Sequence, residues 1–199
     1  MAATTRAKLA PQPIRNSLNQ GGDSMFEHKI IFTGPVGAGK TTLIKAFSDD
    51  APILTEVRPS DDVANMKDQT TVAMDYGSVV LDEETKVHMY GTPGQQRFDF
   101  MWEILSKGSM GLAILINAAA TDPAADLRFY LNAFKGLIVD ENIPLVIGIN
   151  RVDKSNPNHP LEDFQEVADE FRDEIPVLMV DVRESRDVRR LVMTLLFTI

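Results

Sequence analysis

The stretch GPVGAGKTT, Gly34 to Thr42, sets glycines at its first, fourth and sixth positions and follows them with a lysine and two threonines. Glycine tolerates backbone angles that other residues avoid, so such a loop folds tightly and turns successive N–H groups inward onto one anion. The spacing fits G-x-x-x-x-G-K-[ST] through Gly34, Gly39, Lys40 and Thr41, a pattern with meaning only where a strand precedes it and a helix follows. Both conditions are expected here. Lys29 to Thr33 reads as a short buried strand, and Leu43, Ile44 and Phe47 recur at helical spacing behind the loop. A polyphosphate held by Gly34, Gly37, Ala38, Gly39, Lys40, Thr41 and Thr42 would sit at a helix N-terminus, where unpaired N–H groups and the helix dipole favour negative charge. Lys40 is placed to reach the terminal phosphates and the Thr41 hydroxyl to ligate magnesium. The competing reading is an ordinary glycine-rich strand-to-helix turn.

The elements that must carry this loop follow from the hydrophobic pattern. GLAILIN, Gly111 to Asn117, and PLVIGIN, Pro144 to Asn150, are continuous apolar runs, as expected of parallel strands covered on both faces. Between them Leu127, Tyr130, Leu131, Phe134 and Ile138 recur at helical spacing, which completes a βαβ unit. VAMDYGSVVL and KVHMY, joined by DEET, read as a hairpin that puts one antiparallel edge strand on an otherwise parallel sheet. Residues 1–24 mix Ala, Thr, Pro, Asn, Gln and Gly without hydrophobic period, so they are expected to be a disordered tail, with a single domain over residues 25–199.

Composition narrows the function classes. A formal charge of −9 argues against nonspecific attraction to nucleic acid or to an anionic membrane surface. The absence of cysteine excludes disulfide frameworks, thiolate nucleophiles and thiolate metal sites. No apolar run approaches a bilayer span, and the N-terminus lacks the apolar core of a secretory signal, so a cytoplasmic location is expected. Protein and small-molecule partners remain.

Two further motifs identify a family. YGTPGQQRF, Tyr90 to Phe98, follows a strand where Ras-like GTPases carry D-x-x-G-Q, and NRVD, Asn150 to Asp153, follows a strand where they carry N-K-x-D. With the phosphate loop these make three ordered motifs at similar separations, and the sequence resembles a small GTPase over everything except the tail. TTVAMDYG, YGTPGQQRFDFMW and NRVDK are most similar to bacterial members, the MglA-like proteins and the GTP-binding proteins of conservons. The resemblance implies a three-layer α/β P-loop NTPase fold, a Ras-like G domain with a six-stranded, mostly parallel sheet. It implies GTP and GDP as ligands with Mg2+, slow hydrolysis of GTP, a roadblock/LC7-type or other protein regulator, and an effector read by switches I and II.

It also implies residue roles. Asp153 would accept from the guanine N1–H and exocyclic amine, a pairing that rejects adenine because a buried polar group is left unpaired. Asn150 would tie this loop to the phosphate loop, and Arg151 would cover the base with its apolar stem where the family has lysine. Aligned on IPVLMVDVRES, the Val182 backbone N–H would face the guanine carbonyl, although Asp181 and Arg183 differ in kind from the family's side chains, and a plain strand-end loop is the other reading. Thr71, with Thr70 as runner-up, matches the switch I threonine that meets magnesium; a plain strand start is the other reading of either. ILTEVRPSDDVANMKDQ makes this switch longer than in Ras and is expected to be mobile. Gly94 would donate its N–H to the γ-phosphate and Gln95 would orient the attacking water, with Gln96 adjacent. Arg58 and Arg97 are candidates for charge stabilisation in cis.

Gly91 departs from the family, which places a magnesium-holding aspartate there. Either another carboxylate substitutes, with Asp75 the nearest candidate, or Thr41, Thr71 and the phosphates hold the metal with more waters. Phe98, Met101, Trp102 and Leu105 form one helical stripe, and Phe100 and Ile104 widen it into a second apolar face, open to a partner or to the protein's own switch I. Two rival activities follow from the same motifs: a GTP-binding scaffold with negligible hydrolysis, and a P-loop nucleotide kinase or ATPase.

Overall fold

Continuous apolar runs become the centre of the sheet: β6, Gly111–Asn117, and β7, Leu145–Asn150, are buried along their lengths apart from half-buried Asn117. The computed structural model describes residues 14–18, 24–54, 74–95, 99–152 and 160–198. β2, Ser24–Thr33, runs parallel to β6 and to β5, Thr85–Gly91, and β7 is parallel to β8, Val177–Val180. The hairpin expected from the sequence forms between β4, Asp75–Val80, and β5. Strand order is β3-β4-β5-β2-β6-β7-β8, with β1, Ile14–Leu18, beside β2 and β3 a two-residue strand, Ile53–Leu54.

Helices cover both faces. α1, Lys40–Phe47, and α5, Ser185–Leu196, pack Leu43, Ile44, Val188, Leu191 and Leu195 onto Ile30, Phe32, Met89 and Leu115. On the opposite face α2, Asp99–Ser106, α3, Pro123–Ala133, and α4, Leu161–Asp169, bury Trp102, Leu127, Tyr130 and Phe164 against Ile31, Ile114 and Ile147. The odd and even residues of β6 thus feed two separate cores, as the two-residue period of a strand requires. The helical stripe read from Leu127 to Ile138 is buried throughout, although its last turn is π-helical over Gly136–Asp140.

The sheet differs from expectation in strand number. It has eight strands among the described residues where six were expected, and β3 rather than β4 lies at the edge. The span expected to be an unstructured tail contains β1 and the first residue of β2. β6 pairs with β2 only from Ile30 onward, so the leading half of β2 leaves one edge of backbone groups open. β1 pairs antiparallel there, Ile14 opposite Glu27 and Arg15 opposite Phe26, and satisfies that edge.

Ile147 is fully buried in the larger core, whereas Ile53 is 63% exposed at the sheet edge. Ile147→Ala is expected to cost about 2–5 kcal/mol in urea unfolding. Ile53→Ala is expected to stay within about 0.5 kcal/mol of the parent.

Candidate functional site

β2 ends at Thr33 between two parallel neighbours, and the next residues turn out of the sheet at its C-terminal edge, where open α/β sheets bind ligands. The turn depends on glycine. Gly34 has φ of +137°, and a Cβ there would lie 2.0 Å from the Leu115 carbonyl oxygen; Gly39, at φ +106°, has no room beside Asn150 and Val182. α1 begins at Lys40, so the loop delivers its N–H groups to a helix start. The Lys40 ammonium is buried and donates to the carbonyls of Gly34 at 2.6 Å and Pro35 at 2.8 Å, which curls the loop around it. Burial lowers its pKa to about 8, with the nearby Asp75 carboxylate opposing part of the shift.

At the next residue, the Thr41 hydroxyl donates to Asp75 Oδ2 at 2.5 Å. Asp75 stands directly across the hairpin from Gly91, and a Cβ on Gly91 would meet the Asp75 Cβ at 3.1 Å and Oδ2 at 3.4 Å. The Asp75 carboxylate therefore occupies the space that a side chain at position 91 would enter. No group of three or more His, Asp or Glu side chains suited to a metal occurs among the described residues, so Thr41 and Asp75 stand as a pair of hard oxygen donors.

The loop after β5 lies against the phosphate loop. A Cβ on Gly94 would fall 2.7 Å from Val36 N and 2.9 Å from Lys40 Nζ. Thr92 donates its hydroxyl to Thr33 at 2.9 Å and its N–H to the Phe32 carbonyl. Trp102 Nε1 donates to the Pro93 carbonyl at 3.1 Å and the Tyr130 hydroxyl to the Gly94 carbonyl at 3.0 Å. Gln95 is exposed.

On the other side of Lys40 a cleft of about 730 Å³ is lined by Gly39, Asn150, Arg151, Asp181, Val182 and Arg183, among others. Asn150 is buried at the end of β7, and its Nδ2 donates to the Ala38 carbonyl at 2.9 Å. Its Oδ1 receives the Val182 N–H at 3.4 Å. Arg151 is exposed with φ of +60°, a left-handed conformation uncommon for a side chain of its size. Arg183 forks onto Asp181 at 2.8 and 2.6 Å, while Asp187 accepts from the Asp181 N–H at 3.0 Å and fixes the start of this loop.

Gly34, Gly37, Ala38, Gly39, Lys40, Thr41, Thr42, Gly94, Asn150, Arg151 and Val182 thus surround one edge of the sheet, with Asp75 drawn in from β4. Arg58, Thr70, Thr71, Gln96, Arg97, Phe98 and Asp153 lie outside the described residues. In the second apolar face, Ile104 is 56% exposed. The sequence reading treated Trp102 and Tyr130 as core and passed over Asp187. The available signal was chemical: buried Tyr and Trp need partners for their polar tips.

A family described as a conserved hypothetical ATP binding protein matches residues 53–196. The chain belongs to that family. An uncharacterised protein of Methanocaldococcus jannaschii is 32% identical over 127 residues, 64% of this chain and 71% of its own length. The Ras-related protein RABD2a of Arabidopsis thaliana is 21% identical over 89% of this chain and 81% of its own. The GTP-binding protein YPT1 of Saccharomyces cerevisiae is 25% identical over 89% and 80%. This family member is therefore a P-loop nucleotide-binding protein with the three-layer fold of Ras-like GTPases, to which it is related at low identity. No helix among the described residues is long and apolar enough to cross a membrane.

Two outcomes follow from Lys40. Lys40→Ala is expected to abolish tight nucleotide binding in calorimetry while the far-UV CD spectrum stays unchanged, because the ammonium contacts loop carbonyls rather than the core. Since the free protein holds this group near pKa 8 and a bound polyphosphate favours its charged form, full affinity is expected below that pH. Above it, Kd should rise about tenfold per pH unit until the bound-state pKa is passed. A pH-independent Kd between 7 and 10 would contradict this.

Proposed function

We propose that this chain is a GTP- and GDP-binding switch that hydrolyses GTP slowly and presents a nucleotide-dependent surface to a protein partner. The observation that carries the reading is the Asn150 side chain, bonded to the phosphate loop at Ala38 and to the loop after β8 at Val182. It brings the end of β7 beside the phosphate loop, and on this reading Asp153 accepts from the guanine edge, Val182 faces the guanine carbonyl and Arg151 covers the ring. Lys40 and the N–H groups from Gly37 to Thr42 hold the phosphates. Gly94 senses the terminal phosphate and Gln95 orients the water that attacks it.

Thr41 and Asp75 suit magnesium, which prefers oxygen donors and keeps several waters. Bound there with the phosphates and Thr71, the metal would neutralise charge on the phosphate oxygens. The candidate arginines, Arg58 and Arg97, lie outside the described residues, and with none assured in cis intrinsic turnover is expected near the unassisted Ras rate of about 10⁻⁴ s⁻¹. The MglA-like resemblance of the motifs favours a roadblock-type regulator supplying the acceleration. Exposed Ile104 on α2 lies on the surface an effector would read. The domain is proposed to span residues 25–199, and the location to be cytoplasmic.

ATP is the second reading, favoured by the description of the matched family. Asp153→Asn separates the two. An amide offers a donor where the carboxylate offered only acceptors, so preference is expected to move from GDP toward XDP. Asp140→Asn, at the end of the π-helical turn after α3, should leave base choice unchanged. A mutant that keeps wild-type preference for GDP over XDP would remove Asp153 from the guanine site.

A further inference from the structure

Two consecutive carbonyls after β5 end on indole and phenol donors from the core. Pro93 O accepts from Trp102 Nε1 and Gly94 O from the Tyr130 hydroxyl, and the two rings pack at 5.3 Å between centroids. Both side chains are almost fully buried, at 4% and 2% exposure, and come from different helices, α2 and α3. Burial pushes the Tyr130 phenol upward, so it stays a proton donor at neutral pH.

A trans peptide is planar, with its N–H opposed to its C=O. Fixing Pro93 O therefore fixes the Gly94 N–H, and fixing Gly94 O fixes the Gln95 N–H. Each is turned away from the aromatic pair. The α-carbon of Gly94 meanwhile faces the phosphate loop, with the position of a Cβ 2.9 Å from Lys40 Nζ. Two successive amides presented beside a buried ammonium make a concave anion site.

We propose that Trp102 and Tyr130 are positioning residues that hold the Gly94 and Gln95 amides ready for the terminal phosphate of a nucleoside triphosphate. This inference rests on the nucleotide-switch reading above and adds what makes the switch respond to the third phosphate. On that reading these amides meet the third phosphate, which a diphosphate lacks, so their orientation affects only the triphosphate complex. The aromatic pair therefore sets the discrimination between the two nucleotides.

Tyr130→Phe removes one hydroxyl and keeps the ring stack; Trp102→Phe removes the indole N–H and keeps an aromatic side chain. Kd for GDP and for the non-hydrolysable analogue GppNHp is measured by calorimetry for the wild type and both variants. Each variant is expected to lose about threefold to tenfold in GppNHp affinity, the usual worth of one hydrogen bond, while GDP affinity stays within about twofold. Retained GDP binding also certifies the fold of each variant. In the wild type and Tyr130→Phe, Trp102 is the only tryptophan, and its emission should respond to GppNHp and not to GDP, at higher concentration in the variant. Unchanged GppNHp-to-GDP ratios in both variants overturn the inference, as does an equal loss for both nucleotides, which would assign the pair a packing role alone. A wild type that binds neither nucleotide defeats the switch reading and the inference together.

Discussion

The site depends on one buried amide. Asn150 closes a four-part junction: its Nδ2 meets the Ala38 carbonyl, its Oδ1 receives the Val182 N–H, and Gly39 abuts both Asn150 and Val182 with no space for a side chain. At 3% exposure, a broken bond here leaves a polar group unpaired in the protein interior, which costs about 1–3 kcal/mol. The side chain can do this because β7 is pinned on both sides, by β6 through Asn117 and by β8 through Val180. The phosphate loop, the end of β7 and the loop after β8 are far apart in sequence, and this single residue fixes their mutual distance.

A second junction organises the opposite side of Lys40. Asp75 reaches across the hairpin into the space above Gly91 and takes the Thr41 hydroxyl, so the first turn of α1 is tied to β4. The same carboxylate partly counters the cost of burying the Lys40 ammonium. Glycine at position 91 is thus coupled to acid at position 75: a side chain at 91 would crowd both Asp75 and Ile44. Between the two junctions, the loop from Thr92 to Gly94 is held by one backbone bond, from the Thr92 N–H to the Phe32 carbonyl, and otherwise by hydroxyl and aromatic donors, which leaves it attached through a few exchangeable hydrogen bonds.

How much was legible in the sequence follows the range of the interactions involved. The phosphate loop declared itself because its chemistry is local: glycines, lysine and threonine act within one turn. β6, β7 and the hairpin were readable because period and turn residues are also local. Asp75 could be named only as a candidate, since its place opposite Gly91 is a matter of register, and register is set by the whole hairpin. Trp102 and Tyr130 were hidden by their own hydrophobicity, because a helical stripe accounts for the rings and says nothing of the polar tips. β1 and β3 were missed because each is short and gains its strand character only from the open edge it covers. Val182 was named through a weak alignment, and its loop is shaped both by Asp187, which accepts the Asp181 N–H, and by the Asp181–Arg183 pair, interactions that the alignment did not address.

The central claim is that this loop and cleft select a guanine nucleotide. Its most direct test is displacement of a fluorescent GDP from the purified wild-type protein by unlabelled GDP, GTP and ATP in saturating magnesium. The account predicts displacement by GDP and GTP at similar concentrations, with ATP weaker by at least about a hundredfold, as expected for a site that hydrogen-bonds the base edge. Displacement by ATP as readily as by GTP would contradict it.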